Sequence, residues 1–267
     1  MPNISEYSII EKGAKIAKDV KIGPYCYIGP KVKIGSGCVI ENNVTIVGNT
    51  TIGSDCSIFP MAVIGTSTEG DDDKCKCTIG NANSIREHVT IYAGSAKKPT
   101  VIGQHNLIMI SSQIGAGAKI GDHVIFANCT HIADGAIIED YVRTSAFGFV
   151  DEDMTVGAYA FTAGYVHVDS DVPPYSMVQG SPYRVRGVNS HNLKTCGFGD
   201  DDIRSLKRAF RDLYNGKGAL NPQALAKLMN EKRLNVTVKN LIKQIKNSRS
   251  RKAKLIRAQR AEDRKNG

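Results

Sequence analysis

Residues 20–40 read VKIGPYCYIGPKVKIGSGCVI, and the spacing of their isoleucines decides the fold. Ile22, Ile28, Ile34 and Ile40 recur every six residues, and the same register runs unbroken from Ile4 to Ile64. It resumes at Ile79, Ile85 and Ile91, then runs from Ile102 through Ile108, Ile114, Ile120, Phe126, Ile132 and Ile138 to Val168. Two places before the isoleucine stands a small or β-branched residue: Val20, Cys26, Val32, Cys38, Val44, Thr50, Cys56, Ala62. A period of six fits neither an amphipathic helix nor a simple alternating strand. It fits a parallel β-helix with three flat six-residue faces, ~18 residues per coil, each isoleucine stacked on the next layer ~4.8 Å away. The glycine that often follows the isoleucine is expected at the corner, where positive φ is needed. Roughly ten such coils fit between residues 1 and 188.

Register also accounts for the cysteines. Cys26, Cys38 and Cys56 fall in the small-residue column and read as core filler. Two stretches break the period, Thr66–Thr78 and Tyr92–Val101. The first, with three consecutive Asp followed by Lys74 and Lys76, is expected to lie in water or against a polar partner. Cys75-Lys76-Cys77 lies in that break without a second cysteine pair, so no zinc site is expected.

After Asp171-Val172-Pro173-Pro174-Tyr175 the period ends and the chain reads as helices. Gly199-Asp200-Asp201-Asp202 opens a segment with Ile203, Leu206, Ala209, Phe210, Leu213 and Tyr214 at helical spacing. Asn221-Pro222 opens a second, with Leu225 and Leu228. The expected organisation is a β-helix over 1–188 and a helical domain over 189–267. Such a domain covers the exposed end of the solenoid.

The chain has 267 residues, 35 Lys and Arg against 26 Asp and Glu, 26 Gly, 7 Cys and no Trp. No run of 18 apolar residues suggests a membrane span. The first twenty residues lack the charged-then-apolar layout of an export signal. Seven unpaired cysteines suit a reducing compartment, so a cytoplasmic protein is expected. From Val238 onward, eleven Lys and Arg face only Glu262 and Asp263, so this tail carries the whole net charge of +9. It reads as a solvated helix or a frayed terminus. The alternative is a patch for an acidic partner, with nucleic acid disfavoured because no aromatic residue is present to stack on bases.

Solenoids of the left-handed hexapeptide class are dominated by acyl- and acetyltransferases, and the sequence goes further. Asn83-Ser84-Ile85-Arg86-Glu87-His88-Val89-Thr90-Ile91, Asn106-Leu107-Ile108-Met109-Ile110, Asp171-Val172-Pro173-Pro174-Tyr175, Gln179-Gly180 and Gly187-Val188-Asn189 occur in that order. With Leu193-Lys194 and Gly197-Phe198, this resembles the UDP-N-acetylglucosamine O-acyltransferases that begin lipid A synthesis. The resemblance covers nearly the whole chain except the basic tail. It implies a left-handed parallel β-helix, a homotrimer with clefts between neighbouring β-helices, and no cofactor. The substrates it implies are a hydroxyacyl chain on acyl carrier protein and a UDP-amino sugar.

Departures from the family are equally specific. Where the family carries two His three residues apart followed by Asp, this chain has Gln113, Ala116 and Gly117. The second of those His is the family's general base. Two further cleft His positions are Gly135 and Asp151, and a phosphate-contacting Arg falls at Thr195. Adding 18 to Gln113 gives His131, and 36 more gives His167, so the three share one outward column. His131 is therefore the candidate base, with Asp134 as its orienting partner and Glu152 as a second acidic candidate. The structural alternative is that His131 and His167 only line a trimer interface. By resemblance, Asp72, Lys74, Gln113 and Asn189 are expected to bind substrate. Gly164, among Phe161, Ala163 and Tyr165, lies near the position that limits acyl-chain length. Two other functions stay open: an inactive β-helix that binds nucleotide sugar or carrier protein, and an acetyl-coenzyme A-dependent acetyltransferase.

Overall fold

A computed structural model describes residues 2–67, 74–214, 218–231 and 233–248. Among them, short strands, mostly of two residues and nearly all parallel, form three sheets of eleven, nine and nine strands that wrap one axis as a parallel β-helix. Register is set by the isoleucines: Gln113-Ile114 pairs with His131-Ile132, and that strand pairs with Phe149-Val150. Partners are 18 residues apart, as the period requires. The two interruptions add nine residues between Ser57 and Ser84, which pair, and five between Ser84 and Leu107.

Each face sends two residues inward. Ile28, Ile46, Ile64, Ile91, Ile114 and Ile132 are fully buried, and so is the small column of Val20, Val32, Cys38, Val44, Cys56 and Ala62. Beyond the first interruption Asn83 and Asn106 enter that column and form a ladder, in which only the Asn106 Nδ2 lacks a partner. Asn83 donates to the Gly80 and Gly103 carbonyls, its side-chain oxygen accepts from the Asn106 backbone, and Asn106 accepts from the Val124 backbone.

Two expectations need correction. Cys75–Ile79 is a strand of the third sheet, not part of an excursion, and Cys77 is wholly buried in the small-residue column, its thiol pushed up to about 12 by burial. The glycines also work differently from the corner reading. Positive φ mostly falls three residues after the inward residue of the strand, at Tyr25, Asn43, His123, Tyr141, Phe147 and Gly117; of the glycines directly following an isoleucine, Gly65, before the first interruption, has it. Gly35 is needed for space instead: a Cβ there would stand 2.7 Å from the Gly53 backbone of the next coil.

Past Tyr175 the chain does not turn straight to helix. Ser176–Gln179 still pairs with Phe161–Thr162 and then with Arg184–Val188, antiparallel. Four helices follow: α1 (Ser190–Thr195), α2 (Asp200–Tyr214), α3 (Pro222–Met229) and α4 (236–248). In α2 all six residues of the periodic face are buried. Asn221 caps α3 by accepting from the Gln223 and Ala224 backbones. The basic run begins inside α4, whose Val238, Leu241, Ile242 and Ile245 are buried, so this part packs on the body instead of fraying. The rest of the run, 249–267, lies outside the described residues, and no described helix is long and apolar enough to cross a membrane.

Because the isoleucine layers hold the coils together, emptying one layer should be costly. Phe126, fully buried, is the test position. Phe126→Ala is expected to lower unfolding free energy by about 3–5 kcal/mol, read from the midpoint of urea unfolding.

Candidate active site

His131 stands on the second sheet, directly over Gln113 and under Phe149. Its ring stacks on Phe149 with centroids 4.5 Å apart and planes within 6°, and Phe149 meets His167 edge-on. Burial of the half-covered imidazole pushes its pKa down, and the nearby Asp134 charge opposes that shift. The neutral, proton-accepting form is therefore favoured near pH 7. Asp134 itself is exposed, and its Oδ1 accepts the Ala116 backbone N–H at 2.8 Å. No hydrogen bond joins it to His131 among the described residues, so it acts on the imidazole through its field.

A second pair went unforeseen. His167 Nε2 and Asp151 Oδ1 are 2.8 Å apart, which makes Asp151 a partner to the histidine at the far end of the column. A third group comes from the second interruption. Lys98 reaches across from its loop and donates to Asp153 at 2.7 Å. Neither pair follows the 18-residue register, the one signal that could have found it.

The other expected residues scatter. Gln113 is half-buried on the same face, one coil from His131. Asn189 caps α1, donates to the Tyr159 carbonyl at 2.9 Å and is buried, so its side chain joins the helical domain to the last coils. Lys74 is exposed at the edge of the first interruption, and Asp72 lies outside the described residues. At Gly164 a Cβ would meet only ordinary contacts, 3.4 Å from the Ala146 carbonyl, beside the exposed stacked pair Tyr165 and Phe147. A cavity of 740 Å³ lies elsewhere, between the last coils and α4, lined by Glu139, Tyr175, Tyr183, Tyr214, Lys243 and Gln244 among others. Among the described residues no three His, Cys, Asp or Glu side chains gather as a metal ion would need.

The fold and the motif order have clear counterparts. Residues 171–253 match the family model for the second domain of UDP-N-acetylglucosamine O-acyltransferase. Residues 99–134 match the bacterial transferase hexapeptide repeat, and 4–93 the GMPPB C-terminal domain. An acyl-[acyl-carrier-protein]–UDP-N-acetylglucosamine O-acyltransferase of Thermodesulfovibrio yellowstonii is 40% identical over 236 residues, covering 86% of this chain and 91% of that protein. One from Akkermansia muciniphila is 49% identical over 232 residues, covering 85% and 90%. The chain belongs to the UDP-N-acetylglucosamine O-acyltransferase family. A solved member, the UDP-N-acetylglucosamine acyltransferase of Francisella novicida, superposes with a TM-score of 0.85 at 33% identity over 92% of each chain. Family membership makes the coil a left-handed β-helix and the protein an acyltransferase.

The electrostatics of His131 can be measured directly. Its imidazole should titrate below the ordinary 6.5, and Asp134→Asn should lower the midpoint further by removing the charge that opposes burial. An NMR pH titration reads both; a midpoint that rises in the variant would contradict the assignment. The unfolded chain takes up this proton at higher pH, so His131 costs no stability above about pH 6.5. It destabilises the fold as pH falls from there through its folded midpoint.

Proposed function

We propose that this protein transfers a hydroxyacyl chain from acyl carrier protein to a hydroxyl of a UDP-amino sugar, with His131 as general base. The observation that carries this reading is a proton-accepting imidazole on the outward face of the second sheet, one coil beyond Gln113, in a chain that belongs to this family. In the reaction, Nδ1 or Nε2 of His131 takes the acceptor's hydroxyl proton while the oxygen attacks the thioester carbonyl. The carrier thiol leaves. Asp134 supplies negative charge that favours the imidazolium formed in the step. Gln113, beneath His131, offers an amide to the acceptor, and the space at Gly164 admits the acyl chain beside Tyr165. A site displaced by one coil, ~4.8 Å, calls for an acceptor displaced by as much.

The working unit in this reading is a homotrimer with its clefts between neighbouring β-helices. Support comes from exposed apolar residues at both ends of one corner column, Tyr7, Tyr25 and Met61 at one end and Phe147 and Tyr165 at the other. A mass in solution three times the 28.9 kDa of one chain is expected from light scattering, and a monomer would exclude clefts shared between copies.

Turnover tests the chemistry. Purified protein with hydroxyacyl carrier protein and UDP-N-acetylglucosamine should form acylated product, and His131→Ala should cut the rate at least ~100-fold. Turnover indifferent to that change removes His131 from the role. Sugar-nucleotide binding without turnover would instead favour a binding protein, a reading that the missing base at Ala116 keeps open.

A further inference from the structure

Lys98 runs past three glycines, with the Asp153 carboxylate at the end of its side chain. A Cβ on Gly135 would stand 2.5 Å from the Lys98 ammonium, and one on Gly117 would stand 3.0 Å from the Lys98 carbonyl and 3.3 Å from its Cγ. On Gly94 a Cβ would come within 2.6 Å of the Gly117 nitrogen. The loop that carries Lys98 is held at both ends. The Lys98 backbone N–H reaches the Ser95 carbonyl at 3.1 Å, while Thr100 donates to the Tyr92 carbonyl and accepts from the Gly117 N–H. The ammonium is thus delivered to the corner at Gly135, four residues along the coil from His131. Four residues span at most about 14 Å, and the turn shortens that.

Most backbone donors at this corner are already committed. Gly115 N–H goes to the Ile132 carbonyl, Ala116 N–H to Asp134, Gly117 N–H to Thr100, Ala133 N–H to the Val150 carbonyl and Gly135 N–H to the Ala116 carbonyl. Among these corner amides the Asp134 N–H alone is left for an oxyanion, and Lys98 stands at the adjoining Gly135 with further protons to give. Its bond to Asp153 joins two side chains that are 57% and 58% exposed, so the pair contributes little and another anion can replace the carboxylate.

We infer that Lys98 is the electrophilic group of acyl transfer, stabilising the oxyanion that forms beside His131. The inference rests on the acyltransfer reading above. In the step, the acceptor hydroxyl loses its proton to His131 and its oxygen bonds to the thioester carbon. The carbonyl electron pair moves onto oxygen and meets the Lys98 ammonium, released from Asp153. Collapse restores the carbonyl, breaks the C–S bond, and the leaving thiolate takes the proton back from the imidazolium. A cation that meets charge only in the transition state raises kcat and leaves ground-state binding alone.

Steady-state kinetics of the full-length wild type, Lys98→Met, Lys98→Arg and Asp153→Asn, varying hydroxyacyl carrier protein and UDP-N-acetylglucosamine in turn, separate the possibilities. Lys98→Met is expected to lower kcat about 100-fold with both KM values within about twofold of wild type. Lys98→Arg should recover part of the loss, and Asp153→Asn should keep wild-type kcat or exceed it. An unchanged kcat in Lys98→Met overturns the inference. So does a loss confined to KM, which for the nucleotide sugar would make Lys98 a ligand of its diphosphate, and for the carrier a ligand of its phosphodiester. A wild type that forms no product fails before any variant is compared and overturns the acyltransfer reading along with the inference.

Discussion

Every feature of this protein depends on one contact, the stacking of an isoleucine on the isoleucine 18 residues away. One coil cannot bury its own layer, so each is stable only between neighbours. The stacking has a backbone cost, since most faces end in a residue with positive φ, and many of these are bulky: Tyr25, His123, Tyr141, Phe147, Tyr159 and Tyr165. Stacking at the corners offsets part of that cost. His105, His123, Tyr141, Tyr159 and Tyr175 form one rail with centroids 4.8 to 5.8 Å apart, and Phe198 of the helical domain closes its end.

A frame built this way restricts where chemistry can sit. Outward side chains occupy columns, and moving a group along a column shifts it by a whole coil. His131 and Gln113 share such a column and differ by one whole coil. Positions between columns are reached only from outside the register. The five residues added between Ser84 and Leu107 supply one such route, and Lys98 uses it to meet Asp153.

Periodicity therefore made most of the frame legible and much of the site illegible. The strands, the buried small column and the apolar face of α2 all follow from spacing, and even Cys77 obeys it, two places before Ile79, although its polar neighbours disguised the strand. Spacing is silent on the hairpin of Ser176–Gln179 and Arg184–Val188, which keeps strand pairing after the period has ended. It puts His131 and Asp134 on one face but not the direction of the carboxylate, which turns back to the Ala116 amide. The pairs of His167 with Asp151 and Lys98 with Asp153 cross the register, so no count of eighteen leads to them.

The glycines at 117 and 135 answer to packing as well as to their place at corners. Their φ angles of 70° and 66° place them at corners, and a corner alone would explain a glycine. Yet Asp153, the residue stacked next in that column, holds φ at 56° with a full side chain, and the neighbouring corners carry tyrosine and phenylalanine. Conformation does not demand glycine here. Space does: the stem of Lys98 passes where both Cβ atoms would lie, and its ammonium ends where a side chain at 135 would begin. A larger residue at Gly135 would displace the lysine before it strained the backbone. Gly117 and Gly135 thus form a single packing unit with Lys98, and a cation brought in from the loop takes the space that side chains at these two corners would fill.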